Sequence, residues 1–255
     1  MDVQAYLNRI NYDGPVAPTA ETLRQLHLAH LLSVPFENLS IHAGEQIVLE
    51  DEALFRKIVS RRRGGFCYEL NGLFAALLRG LGFEVAMLSA QVTNDDGGFS
   101  RDFDHMTLLV SLGERWLVDV GFGDSFIEPL LLDERGPQMQ RDSAYRIDVD
   151  ADWLIMERAD KSGEWKPQYR FTLKPFQYAD YAEMCTYHQT SPLSHFTKGR
   201  ICSRLTPQGR ISLSDMRLIT SEAGERREHT AASQEEYEEL LSEYFGVVMV
   251  QNRFR

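Results

Sequence analysis

The sequence predicts an α+β fold with helices first, antiparallel strands in the middle and a mixed final part. Three observations carry this. Residues 19–81 repeat apolar residues at helical spacing, residues 84–173 hold short β-forming runs between turn signals, and residues 200–245 place hairpin-like pairs ahead of one amphipathic helix.

Thr19 is placed to cap a helix through about Leu32, with Leu28, Leu31 and Leu32 on one stripe. Asp51 opens another, with Leu54, Phe55, Ile58 and Val59 apolar, and Arg61 to Arg63 followed by Gly64-Gly65 stop it. A third helix starts near Cys67, where Leu70, Leu73, Phe74, Leu77, Leu78 and Leu81 form the cleanest amphipathic stripe of the chain. Glu84 to Thr93 then reads as a strand. His105 to Ser111 and Glu114 to Gly121 form a hairpin around Leu112-Gly113, and Asp133 to Ser143 reads as a polar loop. Trp153 to Arg158 and Trp165 to Leu173 form a second hairpin around Lys161-Ser162-Gly163. Strands this short and close suggest a small antiparallel barrel or a strongly curled sheet. A short helix follows at about Tyr178 to His188. Arg200 to Thr206 pairs with Arg210 to Ser214 across Pro207-Gln208-Gly209, and Met216 to Thr220 pairs with Arg226 to Thr230 across Ala223-Gly224. Ser233 and Glu236 make a capping box for a last helix carrying Tyr237, Leu240, Leu241, Tyr244 and Phe245.

Composition narrows the function. The chain has 255 residues and a net charge of −11, with a pI near 5.1 and a mean hydropathy of −0.33. An acidic protein is repelled by phosphates at long range, so nucleic acid is not an expected partner. No apolar run approaches the ~20 residues of a membrane helix. The N-terminal residues lack a cationic segment leading into an apolar one, so a cytoplasmic protein is expected. The three cysteines, Cys67, Cys185 and Cys202, are too few and too far apart for a disulfide framework, and no CxxC or HExxH pattern offers a metal site.

One cysteine stands apart. Cys67 follows Gly64-Gly65-Phe66 at the mouth of the strongest helix, where unpaired N–H groups and the helix dipole favour a thiolate. Two readings are open for it: a nucleophile, or a small buried hydrophobe. Cys185 and Cys202 have no such setting and read as packing residues. A nucleophile needs a base, and the base needs an orienting acceptor. Of seven histidines, His105 opens the apolar strand HMTLLV, and Asp119 interrupts WLVDVGFG, where a charge requires a partner. A three-residue loop Ser111-Leu112-Gly113 pairs Val110 with Glu114 and sets His105 directly opposite Asp119, with Cβ atoms ~5 Å apart. A two-residue loop would put them on opposite faces.

Taken together, these segments resemble a known family. Arg63-Gly64-Gly65-Phe66-Cys67-Tyr68-Glu69-Leu70-Asn71 is similar to the active-cysteine motif of the arylamine N-acetyltransferases, and Val34-Pro35-Phe36-Glu37-Asn38-Leu39 to their upstream motif. Asp119-Val120-Gly121-Phe122-Gly123 resembles the segment with the triad acid, and Thr190-Ser191-Pro192 with Phe196 the start of their third part. The resemblance implies an N-terminal helical bundle (1–83), a central antiparallel β-barrel (84–189) and a C-terminal α/β lid (190–255) on a cysteine-peptidase-like core. The chain ends early for the family, which implies a trimmed lid. Carried over, the catalytic triad is Cys67, His105 and Asp119. The implied reaction is ping-pong transfer of acetyl from acetyl-CoA, a co-substrate rather than a tightly bound cofactor, through an acetyl-cysteine. The implied acceptors are small aromatic amines, hydrazines or hydroxylamines, and the assembly a monomer or homodimer. The order Cys, His, Asp also fits a cysteine peptidase or transglutaminase-like acyl hydrolase, and an inactive scaffold is the third reading.

A CoA-binding reading directs attention to basic residues. Residues 195–230 hold seven Lys/Arg against four acids, a local +3. Either these charges solvate strands, or Lys198, with Thr197 as a hydroxyl donor, meets the CoA phosphates; the turn Gly121 to Gly123 is the other candidate. Phe36 and Phe122 read as walls of the acceptor pocket or as ordinary core. Glu37 and Arg63 either brace the site as a pair or are solvated separately.

Overall fold

The computed structural model describes residues 1–249 except Asp142 and Lys161. The expected turn residue Lys161, part of the expected polar loop and the last residues of the expected lid thus lie outside the described residues. The helical part comprises α1 (Val3–Arg9), α2 (Ala20–Ser33), α3 (Leu39–His42), α4 (Asp51–Phe55) and α5 (Cys67–Gly80), with a two-residue strand β1 (Phe36–Glu37) between α2 and α3. The Thr19 hydroxyl accepts the Thr22 N–H at 3.2 Å and starts α2. After Phe55 the helix expected from Asp51 widens into a π-helical turn, Arg56–Ser60. Helix α1 has no counterpart in the sequence reading. It is too short for a clear stripe, and part of its inner face is Arg9, buried and donating to the carbonyls of Ile58 and Ser33.

The middle of the chain gives β2 (Glu84–Val92), β3 (His105–Ser111), β4 (Arg115–Val118), β5 (Leu130–Leu131), β6 (Gln138–Gln140), β7 (Ser143–Asp150), β8 (Trp153–Ala159) and β9 (Trp165–Phe176). They form one antiparallel sheet in the order β5-β4-β3-β2-β9-β8-β7-β6. Its two edges meet through side chains, which makes it a nearly closed barrel. Gln138 accepts the Leu131 N–H at 2.8 Å and donates to the Leu131 carbonyl at 3.0 Å. Gln140 accepts the N–H groups of Ile127 and Glu128 and donates to the Glu128 carbonyl. Two side-chain amides thus stand in for a backbone ladder. The expected polar loop 133–143 is corrected here: it contains β6 and leads into β7. Its residues look loop-like because their polar side chains close the barrel instead of filling it.

The hairpin of β3 and β4 corrects a second expectation. Val110 faces Trp116 and Leu108 faces Val118, so the loop is Leu112-Gly113-Glu114 and the register lies two residues from the expected one. A slip of two preserves the face of every side chain, whereas a slip of one would have inverted it. His105 and Asp119 therefore remain on the same side, meeting diagonally rather than directly opposite.

A 3₁₀ turn (Tyr178–Tyr181), α6 (Ala182–Thr190) and a second 3₁₀ turn (His195–Thr197) lead to β10 (Ile201–Thr206), β11 (Gly209–Ser214), β12 (Arg217–Glu222), β13 (Glu225–Thr230) and α7 (Gln234–Phe245). These strands form a second sheet in the order β1-β10-β11-β12-β13. Among the described residues, three apolar clusters fill the molecule. One joins the helices to the inner side of β3 and β4, one fills the barrel around Phe126, Tyr169 and Phe171, and one lies between α7 and the second sheet around Cys202, Leu213 and Leu241. Among the described residues no helix is long and apolar enough to cross a membrane.

Candidate active site

Helix α5 begins at Cys67 because the diglycine lets the preceding turn press against β1. The Gly65 carbonyl accepts the Glu37 N–H at 2.9 Å, and a Cβ on Gly64 would stand 1.9 Å from the Pro35 oxygen. Cys67 is buried at this helix start. The helix end already holds an anion: Glu69 reaches back to the Phe66 N–H at 3.1 Å and pairs with Lys57 at 2.7 Å. Burial pushes the Cys67 thiol well above its ordinary value; the Met106 N–H works the other way, and the charges of Asp104 and Asp119 add to the rise. Burial thus opposes the lowering expected from the helix N-terminus. A thiolate here needs a cation beside it.

His105 is the first residue of β3 and is buried. Its Nε2 stands 2.6 Å from Asp119 Oδ2, which leaves Nδ1 as the ring nitrogen able to exchange a proton. Phe122 and Tyr169 pack on the ring with centroids at 5.1 and 5.2 Å. Burial would raise the Asp119 carboxyl, but the His105 charge and hydrogen bonds from His105, Asn71 and the Gly121 N–H outweigh it and hold it below the usual range.

Asn71 organises this acid, and the sequence reading assigned it no role. One turn after Cys67 on α5, its amide nitrogen donates to Asp119 Oδ1 at 2.8 Å and to the Met106 carbonyl at 2.6 Å, and its oxygen accepts the Val120 N–H at 2.8 Å. One side chain thus ties the cysteine helix to both sides of the hairpin. Gly121 must lack a side chain, because a Cβ there would lie 2.8 Å from both Asn71 Nδ2 and Cys67 Cα. His27 supports the same segment. Its Nδ1 lies 2.9 Å from the Ile127 carbonyl oxygen and its Nε2 3.1 Å from the Asp119 carbonyl oxygen, and a neutral imidazole, with one N–H, donates to one of the two. Burial lowers His27 to about 4 and keeps it neutral.

Glu37 and Arg63 do pair, at 2.9 Å, with both side chains buried. Burial would raise the Glu37 carboxyl, but the charges of Lys57 and Arg63 and the Leu39 N–H hold it low. Removing either partner would strand the other's charge in the core.

Cys67 and His105 line one cavity of about 450 Å³. Phe36, Phe122 and Phe196 give it aromatic walls, and Asp104, His195 and Arg200 give it a polar side. The structure thus places Phe36 and Phe122 at the cavity, each also packed against an apolar cluster. Gly123, Thr197 and Lys198 are not among its lining residues. Gly123 sits beside the Phe36 ring. Thr197 is corrected as a free hydroxyl donor, because its hydroxyl is engaged by the Ser191 and Ser194 carbonyls at 2.8 and 2.9 Å. Lys198 is exposed. Much of the basic stretch is committed elsewhere: Arg204 donates to the Leu32 and Tyr244 carbonyls, and Arg217, Arg226 and Arg227 pair with Glu228 or Glu225. Asp104 was also missed. Burial would raise its carboxyl, but hydrogen bonds from His188 and Ser100 hold it low. No group of three metal-capable side chains occurs among the described residues.

A family model described as N-acetyltransferase matches residues 19–254. An arylamine N-acetyltransferase of Mycolicibacterium smegmatis is 38% identical over 231 residues, 88% of this chain and 84% of the relative. The structure of arylamine N-acetyltransferase from Salmonella typhimurium superposes with a TM-score of 0.92 at 31% identity, covering 99% of this chain and 94% of the other. That of the Mycobacterium marinum arylamine N-acetyltransferase in complex with CoA gives 0.89 at 32%, covering 96% and 93%.

Proposed function

The chain belongs to the arylamine N-acetyltransferase family, and we propose that it moves acetyl from acetyl-CoA to an aromatic amine, hydrazine or hydroxylamine through Cys67, His105 and Asp119. The observation that carries the assignment of residues is the buried His105–Asp119 pair at 2.6 Å opening on the same cavity as Cys67. His105 Nδ1 takes the thiol proton, and the resulting imidazolium is the cation that a buried thiolate requires. Cys67 Sγ attacks the acetyl carbon, the thioester bond to CoA breaks, and the proton passes from His105 to the departing CoA sulfur. The amine nitrogen then attacks acetyl-Cys67, His105 takes its proton, and the C–S bond breaks to regenerate the thiol. Asp119 holds the ring with Nε2–H toward itself and stabilises the charged form. The Cys67 N–H, at the helix start, is a donor for the developing oxyanion.

The reading also joins the three expected parts, 1–83, 84–189 and 190–255, into one working unit. The first supplies Cys67, the second His105 and Phe122, and the third Phe196 and Arg200. The test is pre-steady-state: acetyl-CoA without acceptor should release one equivalent of CoA thiol per enzyme, then stop. Initial rates with an aromatic amine should give parallel double-reciprocal lines. Asp119→Asn should slow the burst by at least about a hundredfold, because the amide can hold the wrong tautomer. Continuous thiol release without amine would mean that water is the acceptor and the protein is an acyl hydrolase.

A further inference from the structure

A second cavity, of about 290 Å³, lies where the barrel faces the second sheet. Arg141 and Arg158 from the barrel and Arg210 from β11 line it, with Asp124 and Ser125 from the loop after Phe122. Among the described residues lining it, three are arginines and one carries a carboxylate. Arg158 Nη1 lies 3.3 Å from Asp124 Oδ2, and Arg210 Nε 3.2 Å from Asp124 Oδ1. Among the described residues neither arginine has another carboxylate within ion-pair distance. Arg158 also donates to Ser143 Oγ at 3.0 Å and Arg210 to Ser203 Oγ at 3.2 Å. A guanidinium has five N–H donors, so several have no partner among the described residues.

The pairing is also lopsided. The Arg210 side chain is 17% exposed and that of Asp124 is 65% exposed, so the cation is set in the wall while its counter-charge reaches into solvent. Ser125 Oγ is buried in the same wall without a hydrogen-bond partner among the described residues. A planar fork in a concave, hydroxyl-lined site matches the geometry of a phosphoryl group. We propose that Arg158 and Arg210, with Arg141 alongside, form a phosphate-binding pocket in which Asp124 holds the place of the anion. Phe122 lines the cavity of Cys67, and Asp124 follows two residues later, at most about 7 Å along the chain. The phosphate can belong to CoA, in which case the proposal rests on the acetyl-transfer reading, or to free inorganic phosphate.

The test compares the KM for acetyl-CoA with that for p-nitrophenyl acetate, a donor without phosphate, and titrates CoA and inorganic phosphate calorimetrically. Arg158→Gln and Arg210→Gln should each weaken the phosphate-bearing ligand about tenfold, as expected for a charge-assisted hydrogen bond. Asp124→Asn should tighten it, because the competing carboxylate is gone while both arginines remain. Both effects should shrink as salt rises. If CoA is the ligand, the acetyl-CoA KM alone follows this order and phosphate competes with CoA. If free phosphate is the ligand, its titration follows the order and the ratio of the two KM values does not move. Indifference of both ligands to the arginine variants would overturn the pocket. So would weaker binding in Asp124→Asn, an arm that survives if the arginine variants fail to fold; the arginines would then merely tie the sheet to the barrel. Failure of wild-type Cys67 to acetylate from either donor would sink the transfer reading instead, and the phosphate titration would still decide the pocket.

Discussion

Asn71 shows what a sequence conceals at the scale of one residue. Cys67, His105 and Asp119 are legible because each breaks a local rule: a thiol at a helix mouth, and two polar groups in apolar strands. Asn71 breaks none, since a polar residue one turn after Cys67 is compatible with a half-polar helix. Its role emerges only when the hairpin brings Asp119, Met106 and Val120 around it. His27 is a similar case, a helix histidine that becomes neutral support for the Asp119 segment, and it gives a pH prediction. Its ordinary value of 6.5 falls to about 4 on burial. Between those values the unfolded chain binds a proton that the folded protein refuses, so stability is fully present above about 6.5 and falls as pH drops toward 4. At about 1.4 kcal/mol per pH unit, the loss is about 3 kcal/mol. His30, also buried and pushed down, adds a loss of the same sign. In urea titrations from pH 7 to 4.5, His27→Asn should be less stable at pH 7 but show a shallower decline than wild type. An unchanged slope would mean that His27 is already charged in the fold.

At the scale of elements, amphipathic helices and the β-rich middle are legible, while short polar elements are not. Helix α5 is read almost whole because Leu70, Leu73, Phe74, Leu77 and Leu78 form an unbroken apolar stripe, while the buried Glu69 and Asn71 beside it escape the pattern. Strand β6 is invisible because Gln138 and Gln140 turn their amides to β5 and the chain before it, and Met139 points to solvent. The β3–β4 register escapes for another reason: a three-residue loop can be placed at 111–113 or 112–114, and only packing decides. The site survives the error because both registers keep the same face inward. The side-chain closure of the barrel predicts a local effect. Each lost amide hydrogen bond is worth roughly 0.5–1.5 kcal/mol. Gln140→Ala should therefore speed amide exchange several-fold at Ile127 and Glu128, and Gln138→Ala should do so at Leu131, while α5 stays protected. Uniform acceleration across the molecule would show instead that the closure supports global stability.

For the molecule as a whole, the α+β composition is legible but the joints are not. A strand of two residues, β1, carries no pattern, yet it pairs with β10 and fixes the second sheet against the cysteine loop. Asn38 strengthens that joint, donating to the Phe196 and Gly199 carbonyls at 2.9 and 2.8 Å and accepting the Ile201 N–H at 2.8 Å. The candidate site depends on this assembly, because its cavity draws residues from the helices, the barrel and the segment after α6. Its central claim is that one thiol of three carries the acetyl group, although Cys185 and Cys202 are also free and buried. Peptide mapping by mass spectrometry after exposure to acetyl-CoA without acceptor tests this most directly. One acetyl group is expected on Cys67, removed by an aromatic amine, absent from Cys67→Ser and retained in Cys185→Ala and Cys202→Ala; acetyl on Cys185 or Cys202, or turnover by Cys67→Ser, would contradict it.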